Sequence, residues 1–112
     1  MAIVAVADMF GIASRRRELA DLLARAEGEA DGIPGCRRYT FAAALADADH
    51  FVLVSEWDDQ ASLDAHYAST AFATLQFSLN GLLARPSDMT MHSISGTARP
   101  VSTTPMDPRS AD

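Results

Sequence analysis

The most informative hydrophobic pattern in the chain is a strand that is apolar on both of its sides. Four bulky apolar residues follow one another at positions 51–54, and Trp57 closes the segment. Successive residues of a strand point to opposite faces of a sheet, so neither face of this strand can be left in water. The pattern therefore predicts a strand over His50–Trp57 in a sheet that is covered on both sides.

The pattern then changes to a helical period. Asp58 and Asp59 offer carboxylate oxygens to the free N–H groups at the start of a helix. Leu63, His66 and Tyr67 follow at helical spacing. This spacing predicts that a histidine and a phenol lie on or beside the helix side that faces the sheet.

The remaining segments also alternate between strand-like and helix-like patterns. Ser14 and Glu18 predict the capped start of a first helix, which continues to about residue 30. A second helix is predicted from about Asp59, with a break near 69–70 and an end before Pro86. Besides 50–57, the predicted strands cover residues 2–9, 36–45 and 87–97.

The order strand, helix, strand, strand, helix, strand is typical of one fold. It is the ferredoxin-like βαββαβ arrangement of the α+β class, with an antiparallel sheet and both helices on one side. Residue alternation leaves four valines on the other side of the sheet, Val4, Val6, Val52 and Val54. Apolar area left in water costs about 25 cal/mol per Å². A second copy of the chain is the simplest cover, so we predict a homodimer through the sheet faces.

Composition and charge restrict the organisation and the partners. The 112 residues predict one domain over 1–97, and the segment 98–112, rich in proline, serine and threonine, indicates a flexible C-terminal tail. A net charge of −6 argues against binding to nucleic acid or to an anionic membrane surface. No segment approaches the roughly 20 apolar residues that span a bilayer. The absence of a signal-peptide pattern, together with the single Cys36, predicts a cytoplasmic location.

Two motifs resemble a known family. The segment VSEWDDQASLDAHYASTAF, at 54–72, is similar to the strand-Glu-Trp, acidic turn and Leu-x-x-His helix of the antibiotic-biosynthesis monooxygenase superfamily. The segment Ile33-Pro34-Gly35-Cys36, followed by Tyr39, resembles the entry to that family's second strand. The resemblance covers about residues 2–97 and implies a dimeric α+β barrel.

The resemblance implies a cofactor-independent monooxygenase that oxidises a small aromatic, polyketide or quinol-type substrate with dioxygen. The pocket is then expected between the helices and the sheet. His66 is the candidate base, because imidazole titrates near neutrality, and Trp57 and Tyr39 are candidate N–H and O–H donors. The expected substrate contacts are Phe72, Leu75, Leu79 and Met89.

Each candidate residue also has a structural interpretation. His66 can serve as a hydrogen-bonded helix residue, Trp57 as core, and Tyr39 as part of a dimer interface. Cys36, after a glycine at a strand start, fits a small filler better than a nucleophile. The three histidines lie on three separate elements without metal-ligand spacing, so no metal site is expected. Haem is disfavoured, because the haem-degrading branch has its ligating histidine about where Gln76 stands.

An alternative function is a non-catalytic dimeric barrel that binds a small hydrophobic ligand or acts in regulation or stress response. The two functions predict different interiors. An enzyme is expected to have a closed apolar cavity into which at least two of His66, Trp57 and Tyr39 converge. A binding or structural dimer is expected to fill that space with Phe72, Leu75, Leu79 and Met89.

Overall fold

The structure, a computed structural model, describes residues 1–100 of the chain. Its four strands form one antiparallel sheet in the order β2–β3–β1–β4. This order is that of the predicted ferredoxin-like fold. The predicted tail lies outside the described residues from position 101 onward. The elements are β1 (Ile3–Phe10), α1 (Arg16–Glu29), β2 (Cys36–Ala43), β3 (His50–Trp57), α2 (Gln60–Tyr67), α3 (Thr70–Leu79) and β4 (Asp88–Ser93).

Strand β1 shows how the sheet divides its two faces. Its residues alternate between buried and half-buried along the whole strand, which confirms the predicted parity. The buried set packs against the helices and the half-buried set lies on the opposite face, here called the outer face. Val6 pairs with Val54 directly across the β1–β3 ladder, and these two residues form the centre of an apolar band on the outer face. Val4 and Val52, at the ends of the band, lie opposite Glu56 and Asp8. None of the helices within residues 1–100 packs on this band.

The core beneath the helices consists of two clusters rather than one. One lies around Trp57, Ile3 and Leu63. The other lies around Leu19, Leu23 and the remaining buried residues of its set, Met9, Phe51, Leu79 and Leu82. The buried residues of β1 run Ile3, Ala5, Ala7, Met9, with large side chains at the ends and small ones between. The core is therefore thinnest above the two alanines.

The predicted break in the second helix is confirmed. Helix α2 ends at Tyr67, and Ser69 caps α3 by accepting a hydrogen bond from the N–H of Phe72 at 3.1 Å. The Ser69 hydroxyl also donates to the carbonyl of His66 at 2.6 Å. One serine thus satisfies backbone groups of both helices, which fixes His66 relative to the start of α3.

Several predicted details are wrong. Helix α1 begins at Arg16, after a 3₁₀ turn that contains Ser14, and Ser14 makes no cap. Glu18 instead pairs with Arg15. Of the two aspartates before α2, only Asp59 caps the helix, by accepting from the N–H of Ser62, whereas Asp58 pairs with Arg37.

The ends of the strands also differ from the prediction. Strand β2 stops at Ala43, and β4 covers only Asp88–Ser93. Met89 and Met91 are 39% and 52% exposed, although they share the sheet face that the helices cover elsewhere. Strand β4 lies at the sheet edge and packs mainly on β1, so the helices leave these two side chains partly exposed.

Gly35, at the entrance to β2, provides a test of the fold. Gly35 has φ +76°, and its carbonyl accepts from the N–H of Asp58 at 2.9 Å. A Cβ there would collide with the side chain of Ser62. We expect Gly35→Ala to lower the free energy of unfolding by about 1–3 kcal/mol, because both the backbone conformation and the contact are unfavourable. Urea denaturation monitored by circular dichroism measures this change.

The control is Gly28→Ala in α1, where an added Cβ meets nothing within 4 Å. We expect this change to raise the free energy of unfolding by about 0.5–1 kcal/mol, because alanine is the better helix former. Equal effects of the two substitutions would contradict the account of Gly35.

Candidate active site

The floor of the candidate site is the indole of Trp57, which is 0% exposed. Its N–H donates to the Ser55 hydroxyl at 3.0 Å, and Ser55 in turn donates to the carbonyl of Ala5 at 3.4 Å. The indole N–H, a predicted donor to the substrate, therefore has its partner within the sheet in this structure. What Trp57 offers the site is a flat, rigid surface.

His66 lies on that surface. Its ring stacks on the indole with centroids 5.0 Å apart and an angle of 28° between the planes. Three further rings surround it at 5.1–5.8 Å, those of Tyr39, Tyr67 and Phe72. Burial among these rings lowers the pKa of His66, because the charged imidazolium loses its hydration. The imidazole is consequently neutral at pH 7 and able to accept a proton.

Tyr39 has the opposite shift from the same cause. Burial raises the pKa of its phenol to about 12, so the hydroxyl keeps its proton and acts as a donor. Within residues 1–100 neither the Tyr39 hydroxyl nor the His66 ring has a hydrogen-bond partner. No buried side-chain nitrogen or oxygen of the described residues lacks a partner, so the polar atoms of both residues reach open space. They are available to a ligand.

That open space is a cleft of about 250 Å³ between α1 and α3. Tyr39 and His66 lie at its inner end, and exposed residues of both helices form its mouth. The predicted interior was closed, whereas this cleft is open to solvent on one side. Its walls are formed by Leu22, Arg25, Ala26, Glu29, Ile33, Tyr39, His66, Ala71, Phe72, Thr74, Leu75 and Ser78.

A second, much smaller space lies deeper against the sheet. This inner void measures about 20 Å³ and sits above Ala5 and Ala7, where the core is thinnest. It shares three wall residues with the cleft, namely Tyr39, His66 and Phe72. The rest of its wall is Leu53, Ser55, Trp57, Leu63, Tyr67 and Met89.

The four predicted substrate contacts do not all line the cleft, because Phe72, Leu79 and Met89 also border a separate depression beside α3. Phe72 and Leu75 line the cleft. Met89 borders the inner void, where its sulfur accepts a hydrogen bond from the Tyr67 hydroxyl. Leu79 is only 3% exposed, belongs to the second core cluster and does not reach the cleft. The structure thus brings His66, Tyr39, Phe72 and Leu75 together and leaves Leu79 outside.

Sequence reasoning missed the wall that α1 contributes. Leu22, Arg25, Ala26 and Glu29 are spaced by three, one and three residues, which places them on one side of the helix. The spacing was visible in the sequence. The spacing did not reveal that α3 lies opposite this side of α1 with a gap between the two helices. That gap depends on how both helices pack on the sheet.

Other chemical roles find little support within the described residues. Burial raises the pKa of the Cys36 thiol, which disfavours the reactive thiolate. No three His, Cys, Asp or Glu side chains of residues 1–100 come together in a group that could hold a metal ion. In the same part of the chain, every helix is too short or too polar to cross a membrane.

Known proteins with this architecture provide a comparison. A candidate antibiotic biosynthesis monooxygenase from Deinococcus radiodurans matches with a TM-score of 0.85 at 17% identity, over 89% of this chain and 99% of that chain. The protein Rv0793 from Mycobacterium tuberculosis matches with a TM-score of 0.81 at 21% identity, over 88% of this chain and 100% of that chain.

SnoaB from Streptomyces nogalater, a cofactor-independent oxygenase solved as a single-residue mutant, matches with a TM-score of 0.75. Its identity is 18%, and the match covers 86% of this chain and 95% of SnoaB. At such identities these matches show the fold. A search of curated protein sequences finds no match.

Sequence evidence for the family comes from a comparison with family models. The model for antibiotic biosynthesis monooxygenases matches residues 2–76, which is well over half of the 112 residues. That segment contains β1 to β3, α1, α2 and the start of α3, and with them the cleft residues Tyr39, His66 and Phe72. The chain belongs to the antibiotic biosynthesis monooxygenase family.

Proposed function

We propose that the chain is a cofactor-independent monooxygenase that oxidises a small aromatic, polyketide or quinol-type compound with dioxygen. The observation that carries this proposal is the pairing of His66 and Tyr39. A neutral imidazole and a protonated phenol face one mostly apolar cleft, and neither is engaged by the described part of the protein. SnoaB, which shares the fold, is described as a cofactor-independent oxygenase.

The first step of the proposed reaction is a proton transfer. A phenol or an activated C–H of the substrate gives its proton to His66, and the substrate becomes an electron-rich anion. The Tyr39 hydroxyl donates a hydrogen bond to the oxygen on which the charge develops. Trp57 touches no substrate in this scheme and acts as a positioning residue that holds the imidazole in place.

The second step needs no external reductant. The substrate anion passes one electron to dioxygen, and the substrate radical and superoxide combine to a peroxide anion at a ring carbon. The peroxide takes back the proton held by His66 and becomes a hydroperoxide. Loss of water then leaves a carbonyl group, so one oxygen atom enters the product and the other enters water. For a substrate that reacts at a ring CH₂ group, such as an anthrone, the four electrons that reduce dioxygen all come from that group as it becomes C=O.

The size of the cleft limits the substrate. Ligand pockets usually measure roughly 300–1,000 Å³, and this cleft has about 250 Å³. The flat walls formed by His66 and Phe72 suit a planar ring. We therefore propose a compound of few fused rings that enters between α1 and α3.

Oxygen uptake with a panel of hydroquinones and anthrones tests the activity. We expect consumption above the uncatalysed rate for at least one compound, and a loss of about 10²–10⁴-fold in kcat/KM for His66→Ala, because the base is removed. Tyr39→Phe keeps the ring and removes the donor, so it should lower kcat more than it raises KM.

The control is Gln60→Ala, at an exposed position of α2 that does not line the cleft. It should retain the activity of the unchanged protein. Binding of the aromatic compounds without any catalysed oxygen uptake would support the alternative, a non-catalytic protein that binds small hydrophobic ligands.

The depressed pKa of His66 predicts a pH dependence of stability. The unfolded chain has an ordinary histidine pKa near 6.5, and the folded chain has a lower one. Below about pH 6.5 the unfolded state therefore binds more protons, and stability falls as the pH falls. Urea denaturation between pH 5 and pH 8 should show this decline, with a plateau above neutrality.

His66→Gln isolates the contribution of this one group. It removes the titrating ring, so the decline with falling pH should become shallower than in the unchanged protein. Parallel curves for the two proteins would contradict the lowered pKa of His66.

We also propose a homodimer through the outer faces of the two sheets. Sedimentation equilibrium should give twice the 12.0 kDa mass of the chain. Val54→Lys places a charge in the middle of the apolar band and should yield a folded monomer, because the side chain is only half-buried in one chain. Leu45→Lys, at a fully exposed position in the β2–β3 connection, should remain dimeric.

A further inference from the structure

The proposed function gives the inner void above Ala5 and Ala7 no role in binding the aromatic ring. We propose that it is the binding site for dioxygen, an inference that rests on the proposed function. Its volume of about 20 Å³ exceeds the roughly 10–15 Å³ that hold one small molecule such as water, and it is far too small for a ring.

The side chains that line the void favour an apolar ligand. Most of the wall consists of carbon and sulfur atoms, from the two alanines and the side chains of Leu53, Leu63, Phe72 and Met89. Two of its polar groups are engaged within the protein. The indole N–H of Trp57 donates to Ser55, and the Tyr67 hydroxyl donates to the sulfur of Met89.

His66 and Tyr39 have the free polar atoms on this wall, and they also border the cleft. A bound substrate engages them from the cleft side. A buried water molecule needs two to four hydrogen-bond partners, and the void then provides too few. Dioxygen needs none, so it loses nothing by entering the void. Substrate binding should therefore dry the void and favour dioxygen within it.

The position of the void suits the proposed electron transfer. Only the rings of Tyr39, His66 and Phe72 are shared between the two spaces, so a guest in the void lies within one side chain of a ring in the cleft. Dioxygen held there is next to the substrate anion that His66 generates. The void thus supplies the second reactant from the sheet side while the first enters from the helix side.

The size of the void follows from the sequence of β1. Ala5 and Ala7 are 3% and 4% exposed, and each contributes only a methyl group where Ile3 and Met9 fill the space at either end. Ala7→Val adds two methyl groups directly at the void. Ala46→Val is the control, because Ala46 is exposed in the β2–β3 connection and lies outside both the void and the outer face.

Dioxygen is paramagnetic and speeds the NMR relaxation of nearby methyl groups, so it needs no added probe. Methyl relaxation is measured by NMR on the full chain under dioxygen pressure and compared with nitrogen at the same pressure. We expect the methyl groups of Ala5 and Ala7 to relax several-fold faster than those of Leu19 and Leu23, which are equally buried but lie in the other core cluster. Ala7→Val should abolish the excess at Ala5, and Ala46→Val should preserve it.

Equal relaxation of the two sets of methyl groups would overturn the inference, as would an excess at Ala5 that survives Ala7→Val. In the oxygen-uptake assay, Ala7→Val should raise KM for dioxygen several-fold and leave binding of the aromatic compound unchanged. Enhanced relaxation at Ala5 and Ala7 in a chain that consumes no oxygen would leave the void as a gas site and refute the monooxygenase function instead.

Discussion

The burial of Trp57 is the constraint on which the rest of the site depends. Its indole ends β3, packs between the sheet and α2, and is the largest fully buried side chain of the described residues. Because its N–H is satisfied by Ser55, which in turn bonds to β1, the ring is tied to two strands. His66 then takes its orientation from stacking on this ring rather than from a hydrogen bond, so both of its nitrogens remain free for other partners.

The cleft and the void exist because the core does not close over the centre of the sheet. Large side chains gather at the two ends of β1, and the partly buried Phe41 and Leu53 connect the two clusters. Filling the gap would stabilise the chain at about 25 cal/mol per Å² of apolar area buried. The chain lacks this packing at the place where its unpaired polar groups converge. Binding sites commonly reduce the stability of a protein in this way.

Much of this arrangement was readable from the sequence, and the rest was not, for physical reasons. Period and alternation decide which side chains face inward, so β3, the helix break and the inward position of His66 could be predicted. Period and alternation do not decide which side chains of other elements lie opposite an inward-facing residue. The α1 wall with Arg25 and Glu29, the exposure of Met91 and the partner of the Trp57 N–H all depend on how distant elements pack, and local pattern does not specify that.

Burial alone assigns the two proposed catalytic groups their roles. The same desolvation that lowers the pKa of His66 raises the pKa of Tyr39, because it opposes charge on either residue. At neutral pH the inner end of the cleft therefore holds an acceptor and a donor without holding a charge. This uncharged, largely apolar inner end does little to stabilise water, and it suits a neutral aromatic ring and an apolar gas. In the proposed reaction the anion forms only when the substrate gives up its proton, at the inner end of the cleft and next to the void where dioxygen is proposed to bind.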